Sequence, residues 1–211
     1  GLDHAFGRTG GEHYDAAAAE LANLRSLEFF VTHLAGAGFA SAQQPLSARW
    51  DDHVKYEFAS RNTDDTLETM VPDAYVNHVP VMTGGVGHDE LREFYSKRFI
   101  PQMPPDTGMT PVSRTIGVDR IVDEMVFEFT HTSKMDWMLP GVEPTGKHVR
   151  VALVVIVHFR DGKLAHEHIY WDQASVLAQL GLIDSSKLPV AGVESAEKVL
   201  DPTLPSNELM S

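Results

Sequence analysis

The stretch from Val149 to Leu182, VRVALVVIVHFRDGKLAHEHIYWDQASVLAQLGL, constrains the fold more than any other part of the chain. Asp161-Gly162 between two hydrophobic runs is the strongest short hairpin signal, because a two-residue primed turn needs positive φ and Gly adopts it freely. Counting outward from that turn sets Arg160 against Lys163. One face then holds Val151, Leu153, Val155, Val157 and Phe159 opposite Leu164, His166, His168, Tyr170 and Asp172. The other holds Arg150, Ala152, Val154, Ile156 and His158 opposite Ala165, Glu167, Ile169 and Trp171. Both faces are largely apolar, so the pair is expected to be covered on each side. His168, Tyr170 and Asp172 recur at period two and share a face, and chemistry is expected there. A slip of one residue would exchange every assignment.

Upstream, residues 1–14 are Gly-rich and polar and read as disordered or draped. Asp15 to Leu34 reads as a helix with Leu21, Leu24, Leu27 and Val31 at three- and four-residue spacing, ended by Gly36 and Gly38. A second helix is expected from Ser47 as N-cap, with Trp50, Val54 and Phe58 on one face. Asn62 or Thr63 caps a third, which Pro72 stops. A short strand at 75–79 and a turn-rich loop at 83–87 lead to a helix at 89–99. Four strands follow, near 110–118, 121–131, 148–160 and 163–172, and a helix at 173–180 is closed by Gly181. Helices first and a meander afterwards is the pattern of an α+β domain. The expected division is an N-terminal extension with a helix (1–46), a main domain (47–182) and an irregular C-terminal tail (183–211).

The formal charge of −13 over 211 residues argues against nucleic acid or an anionic membrane as a partner, since phosphate neutralisation is unavailable. A neutral small molecule is the easier ligand. The chain has no cysteine, which excludes disulfides and thiolate metal sites and is compatible with a reducing cytoplasm, the expected location. No apolar run approaches the roughly 18 to 20 residues of a membrane span. The first residues are not those of a signal peptide, and Gly1 reads as the remnant of a cleaved tag.

Taken together, ARWDDHVKYEFASRNTDDTLETMV, the strand ending in His78, GGVGHDELREFY, PTGKHV, RDGK and HIYWDQASVLAQLGL resemble the NTF2-like superfamily, in its SnoaL-like polyketide cyclase branch. The resemblance covers about residues 47 to 182. It implies an α+β cone, a curved antiparallel sheet with helices packed on its concave face enclosing a pocket, and a homodimer formed through the outer sheet face. It also implies an acid/base carboxylate at the end of the last strand, which by motif position is Asp172. Superfamily members range from cyclases to plain binding domains, so fold follows from the resemblance and reaction does not.

Beside Asp172, His168 and Tyr170 are expected to orient the carboxyl or polarise a substrate carbonyl. The bland reading of Asp172 is a helix N-cap, and both stay open. Alternation puts Met125, Phe127, Phe129 and His131 on one face of their strand, an apolar wall suited to a small-molecule site. His78, His131, Phe127, Phe129, Trp137 and Tyr95 are the expected substrate-binding residues. Trp137 belongs to KMDWMLPGVEP, too apolar for a solvated loop and suited to roofing a pocket or to a dimer contact. His166 and His168 form an H-x-H pair without further ligands at metal spacing, so neither metal nor cofactor is expected. The functional expectation is cofactor-free proton transfer beside a carbonyl on a small hydrophobic compound: cyclisation, isomerisation or a relative. A non-catalytic binding or dimerisation module is the alternative, and hydrolysis or dehydration in the same pocket a third.

Overall fold

The computed structural model describes residues 14–34 and 38–210. The expectations about residues 1–13 and Gly36 lie outside the described residues. In order, the elements are α1 (Ala16–Leu34), α2 (Gly38–Val54), α3 (Thr63–Glu68), β1 (Met70–His78), β2 (Thr83–Val86), α4 (Gly87–Phe94), α5 (Ile100–Gln102), β3 (Gly108–Ile116), β4 (Arg120–Thr130), β5 (His148–Arg160), β6 (Lys163–Trp171), α6 (Gln173–Gln179) and α7 (Glu194–Leu200). Two π-helical turns extend the helices that face the sheet: Lys55–Ala59 continues α2 and Tyr95–Phe99 joins α4 to α5. Such wide turns cost regular helical bonding and recur at functional sites.

The six strands form one curved, unclosed sheet in the order β2-β1-β6-β5-β4-β3. Its pairings are antiparallel except that β1 runs parallel to β6. Phe127 and Phe129 of β4 and alternate residues of β5 from Val149 to Val157 are buried, and α2, α3 and α4 bring Trp50, Leu67 and Leu91 into the same core. Each such side chain contributes roughly 1.5–3 kcal/mol of burial.

Several boundaries depart from the sequence reading. α2 begins at Gly38, not after Ser47, and carries Pro45 inside it; one missing N–H does not end a helix whose neighbours still bond. Asn62 does cap α3, its Oδ1 accepting from the amides of Asp64 and Asp65 at 3.0 and 3.2 Å. β1 starts at Met70 and tolerates Pro72 because the β1–β6 register is irregular between Met70 and Tyr75. Residues 83–86 are a strand, β2, and not a loop. The C-terminal tail is not wholly irregular: it holds α7, whose Ala196 is buried, and Ser175 of α6 donates to the Gly192 carbonyl at 2.8 Å.

The decisive departure lies in the hairpin. Its turn is as expected, with Asp161 at φ 55° and Gly162 at φ 74° and Arg160 paired with Lys163. Phe159 then pairs with Leu164, but His158 pairs with His166, so Ala165 is an extra residue in β6. This β-bulge moves every later pair by one. Val157, Val155 and Leu153 stand opposite Glu167, Ile169 and Trp171 on the buried face, while Ile156 and Val154 stand opposite His168 and Tyr170 on the outer face.

Deleting Ala165 would remove the bulge and leave His166 opposite His158 and Glu167 opposite Val157, so the buried face of β6 would keep Glu167, Ile169 and Trp171. A cooperative thermal transition is therefore the expected result for the deletion, as for Ala165→Gly. A deletion variant without a cooperative transition would show that the fold needs the bulge itself and not only the pairing beyond it.

Candidate functional site

Between the concave sheet face and the helices lies a narrow cavity of about 50 Å³. Its wall is mostly aromatic and aliphatic, with Trp50, Phe58, Phe99, Phe127 and Trp137 among the lining residues. The titratable side chains reaching it are Glu57, Glu167, Tyr95 and His78.

The two carboxyls meet at His53, a fully buried ring. His53 and Glu57 sit four residues apart on one helical face, and Glu167 arrives from β6 two residues past the bulge. His53 Nε2 lies 3.1 Å from Glu57 Oε1 and 3.1 Å from Glu167 Oε1. Its Nδ1 lies 2.6 Å from Thr69 Oγ1, and that hydroxyl donates to the Thr66 carbonyl at 2.6 Å. The hydroxyl proton is therefore committed, so Nδ1–H donates to Thr69 and the tautomer is fixed. Nε2 then faces the two carboxyls, and a lone pair there would be unfavourable were both ionised. The 3.1 Å separations are hydrogen-bond lengths, and an imidazolium N–H shared by both oxygens satisfies them.

Electrostatics agree with the geometry. Burial alone would lower the His53 pKa, but Glu57 and Glu167 together outweigh it and raise it to about 10. Burial also lifts the Glu57 carboxyl above the carboxylate range, against the pull of His53. A dry interior favours a buried group of low net charge, and the imidazole between two carboxyls is placed to share protons with both. Tyr95 Oη–H points to Glu167 Oε1 at 3.5 Å and also bonds Glu57; burial and the neighbouring acids hold its pKa well above that of an ordinary phenol. Trp50 stacks on His53 at 5.5 Å and is itself fixed by Nε1–H donating to Asp123 at 2.7 Å. Arg114 clamps Asp123 through two bonds of 2.6 and 2.7 Å. His53, Glu57 and Glu167 are also the group, among the described residues, whose donor atoms converge closely enough to hold a metal ion.

The residues expected from sequence divide into two sets. His78, Tyr95, Phe127 and Trp137 line the cavity. Phe129 is buried in the core beside Phe127, and His131 is buried with Nδ1 accepting the Thr145 amide at 3.3 Å; neither lines the cavity. The trio His168, Tyr170 and Asp172 stands away from it, because the bulge at Ala165 turns the trio's face outward. His168 Nε2 bonds the Tyr75 hydroxyl at 2.9 Å and stacks on His166 at 4.6 Å, and Tyr170 is 41% exposed. Asp172 is exposed and caps α6, accepting the Ala174 amide at 2.9 Å. Arg98 is exposed and pairs with Asp136 at 3.1 Å. His53 and Glu57 were not singled out from sequence, and Glu167 was assigned to the opposite face.

Comparison with known proteins bears on the same segment. The family model for SnoaL-like polyketide cyclases matches residues 53–180. TsrD from Streptomyces laurentii has a similar structure, with a TM-score of 0.52 and 16% identity, covering 67% of this chain and 98% of that one. An NTF2-like protein of unknown function from Burkholderia pseudomallei gives a TM-score of 0.51 and 16% identity over 64% of this chain and 97% of its own. A curated relative from Azospirillum brasilense, provisionally named a carboxymethylenebutenolidase, is 59% identical over 34 residues, which are 16% of this chain and 15% of that protein.

A histidine raised from 6.5 to about 10 on folding stabilises the fold fully below pH 6.5 and loses that contribution as pH climbs through 10. Thermal midpoints are therefore expected to fall between about pH 7 and 10, and His53→Gln is expected to flatten that slope. A parent protein whose midpoint is level across this window would contradict a charged His53.

Proposed function

Because the chain belongs to the SnoaL-like polyketide cyclase family, we propose that its cavity takes a small, largely apolar carbonyl compound and moves a proton at the carbon beside the carbonyl. The observation that supports this is the convergence of two carboxyls on one imidazole nitrogen at the wall of an otherwise apolar cavity. Such environments push paired carboxyls apart in acidity, giving one base and one acid.

In this reading Glu167 is the base. It removes the proton from the α-carbon, and the electron pair left behind moves onto the carbonyl oxygen. The Tyr95 hydroxyl and the protonated Glu57 are the donors that stabilise the developing enolate, in a site dry enough to strengthen both bonds. His53 is a positioning residue: its shared N–H holds the two carboxyls in register and keeps the group neutral. Reprotonation, ring closure or loss of a leaving group from the enolate would give isomerisation, cyclisation or dehydration. The site needs no added cofactor for the proton step. Asp172 serves as the α6 cap, and the outer face with Tyr75, His166 and Tyr170 is the surface through which we propose a homodimer forms. A cytoplasmic setting and a main domain spanning residues 47–182 complete the reading.

Solvent deuterium exchange into the α-position of 1-tetralone, followed by NMR, tests the assignment. Exchange above background is expected with the parent protein, slower by about 10²–10⁴-fold in Glu167→Gln. Asp172→Asn is expected to keep both rate and stability, since Asn caps as well as Asp, whereas Asp172→Ala loses about 1 kcal/mol of stability and no activity. Full exchange by Glu167→Gln, or its loss in Asp172→Asn, would return the chemistry to the outer face. Binding of 1-tetralone without exchange would favour a binding module. Stoichiometric divalent metal in the purified protein would assign the three atoms at His53 to coordination instead of proton sharing.

A further inference from the structure

The chain has three tryptophans. Two have their indole N–H bonded: Trp50 donates to Asp123 at 2.7 Å and Trp171 to Gln173 at 2.6 Å. Trp137, which lines the cavity and is 3% exposed, has a buried Nε1–H that meets no acceptor in the protein. An orphaned buried donor costs about 1–3 kcal/mol and calls for an explanation.

A loosely held loop would let the indole turn until it found a partner. This loop is held on both sides of Trp137. The Trp137 carbonyl accepts Thr83 Oγ1–H at 2.5 Å, the Asp136 amide donates to Gln102 at 2.7 Å, and the Met138 carbonyl accepts from Gln173 at 3.0 Å. Met135, Met138 and Leu139 are fully buried beside it. The ring itself packs edge-on to Phe99 at 4.8 Å and lies 5.3 Å from the His78 ring. His78 donates Nδ1–H to the Thr83 carbonyl at 3.3 Å, which leaves its Nε2 as an acceptor. Burial lowers the His78 pKa to about 4, so the ring is neutral. One wall of an apolar cavity therefore includes a residue whose donor is fixed and unmatched, with an acceptor ring next to it.

We propose that Trp137 is a specificity residue: its indole N–H binds a second oxygen of the ligand, a hydroxyl that accepts from Trp137 and donates to His78. This rests on the site reading above and narrows the ligand to a carbonyl compound with a hydroxyl group elsewhere on an apolar frame. An apolar cavity alone would accept the unsubstituted frame equally well. The unpaired N–H rewards the hydroxylated one, because only that ligand satisfies it.

The test compares binding of 1-tetralone with that of its 5-, 6- and 7-hydroxy isomers, together with ¹H–¹⁵N spectra of the indole groups. At least one hydroxy isomer is expected to bind about two- to tenfold more tightly than 1-tetralone. That gain is expected to vanish in Trp137→Phe. The indole peak absent from the spectrum of Trp137→Phe is expected to shift downfield with the favoured isomer and not with 1-tetralone. Without ligand, Trp137→Phe is expected to melt no lower than the parent, since it removes an unsatisfied donor and keeps an aromatic ring. If that variant fails to fold, spectra of Trp50→Phe and Trp171→Phe assign the Trp137 peak by elimination, and its shift with the favoured isomer decides. No hydroxy isomer outbinding 1-tetralone, or a preference that survives Trp137→Phe, overturns the proposal and leaves the carboxyl site standing. If none of the four compounds enters the cavity, the site reading falls and this inference with it.

Discussion

The position of Ala165 governs the site. It stands in β6 without a counterpart in β5, and the local excess of one residue decides which side of the sheet every later side chain occupies. Glu167 points inward for that reason alone. The penalty for moving a carboxylate from water into the interior is several kcal/mol, so the fold can keep Glu167 there only if something charged or protonic receives it. His53 is that partner, and it is present because α2 runs on far enough to lay it across the concave face. The outward consequence is equally direct: His166 and His168 gather on the outer face with Tyr75 as a strip of stacked rings, and Tyr170 shares that face.

The site's rigidity comes from how little freedom its hydrogens have. Thr69 has spent its hydroxyl proton on Thr66, so His53 Nδ1–H can only donate to it; Trp50 has spent its indole proton on Asp123, so its face stays over His53. Arg114 holds Asp123 and reaches Asp51 of α2 at 2.8 Å, fastening the helix to β3 and β4. Each link is ordinary in energy, but the chain leaves no group able to rotate away, which is the condition for preorganised chemistry.

How much of this was legible in the sequence can be traced residue by residue. The turn at Asp161-Gly162, the inward Phe127 and Phe129 and the roof residue Trp137 followed from periodicity, turn chemistry and apolarity, and the wall residue His78 from the family resemblance. The bulge did not follow, because an extra alanine in a strand carries no compositional mark. One signal was available: Ile169 and Trp171 are the large apolar residues of β6, and they share the period of Glu167, not of His168. Weighing apolar alternation above turn counting would have placed Glu167 inside. His53 and Glu57 were passed over because an i, i+4 His–Glu pair reads as an ordinary solvated helix face, and only their spacing from Trp50 and Val54 hinted otherwise. The parallel pairing of β1 with β6 brings together segments about ninety residues apart, beyond the reach of local pattern.

The two π-helical turns have a bearing on how this chain can be compared with others. Glu57 lies in one and Tyr95 in the other, and each wide turn holds more residues than the α-helical turn it replaces. With the extra residue in β6, all three side chains to which we assign the proton step are delivered by local lengthening of a regular element. An alignment that keeps helices and strands in unbroken step will therefore match the scaffold well and set the wrong side chains against one another at the three positions that matter. Roles carried over from a relative hold here only where that relative widens its backbone at the same places.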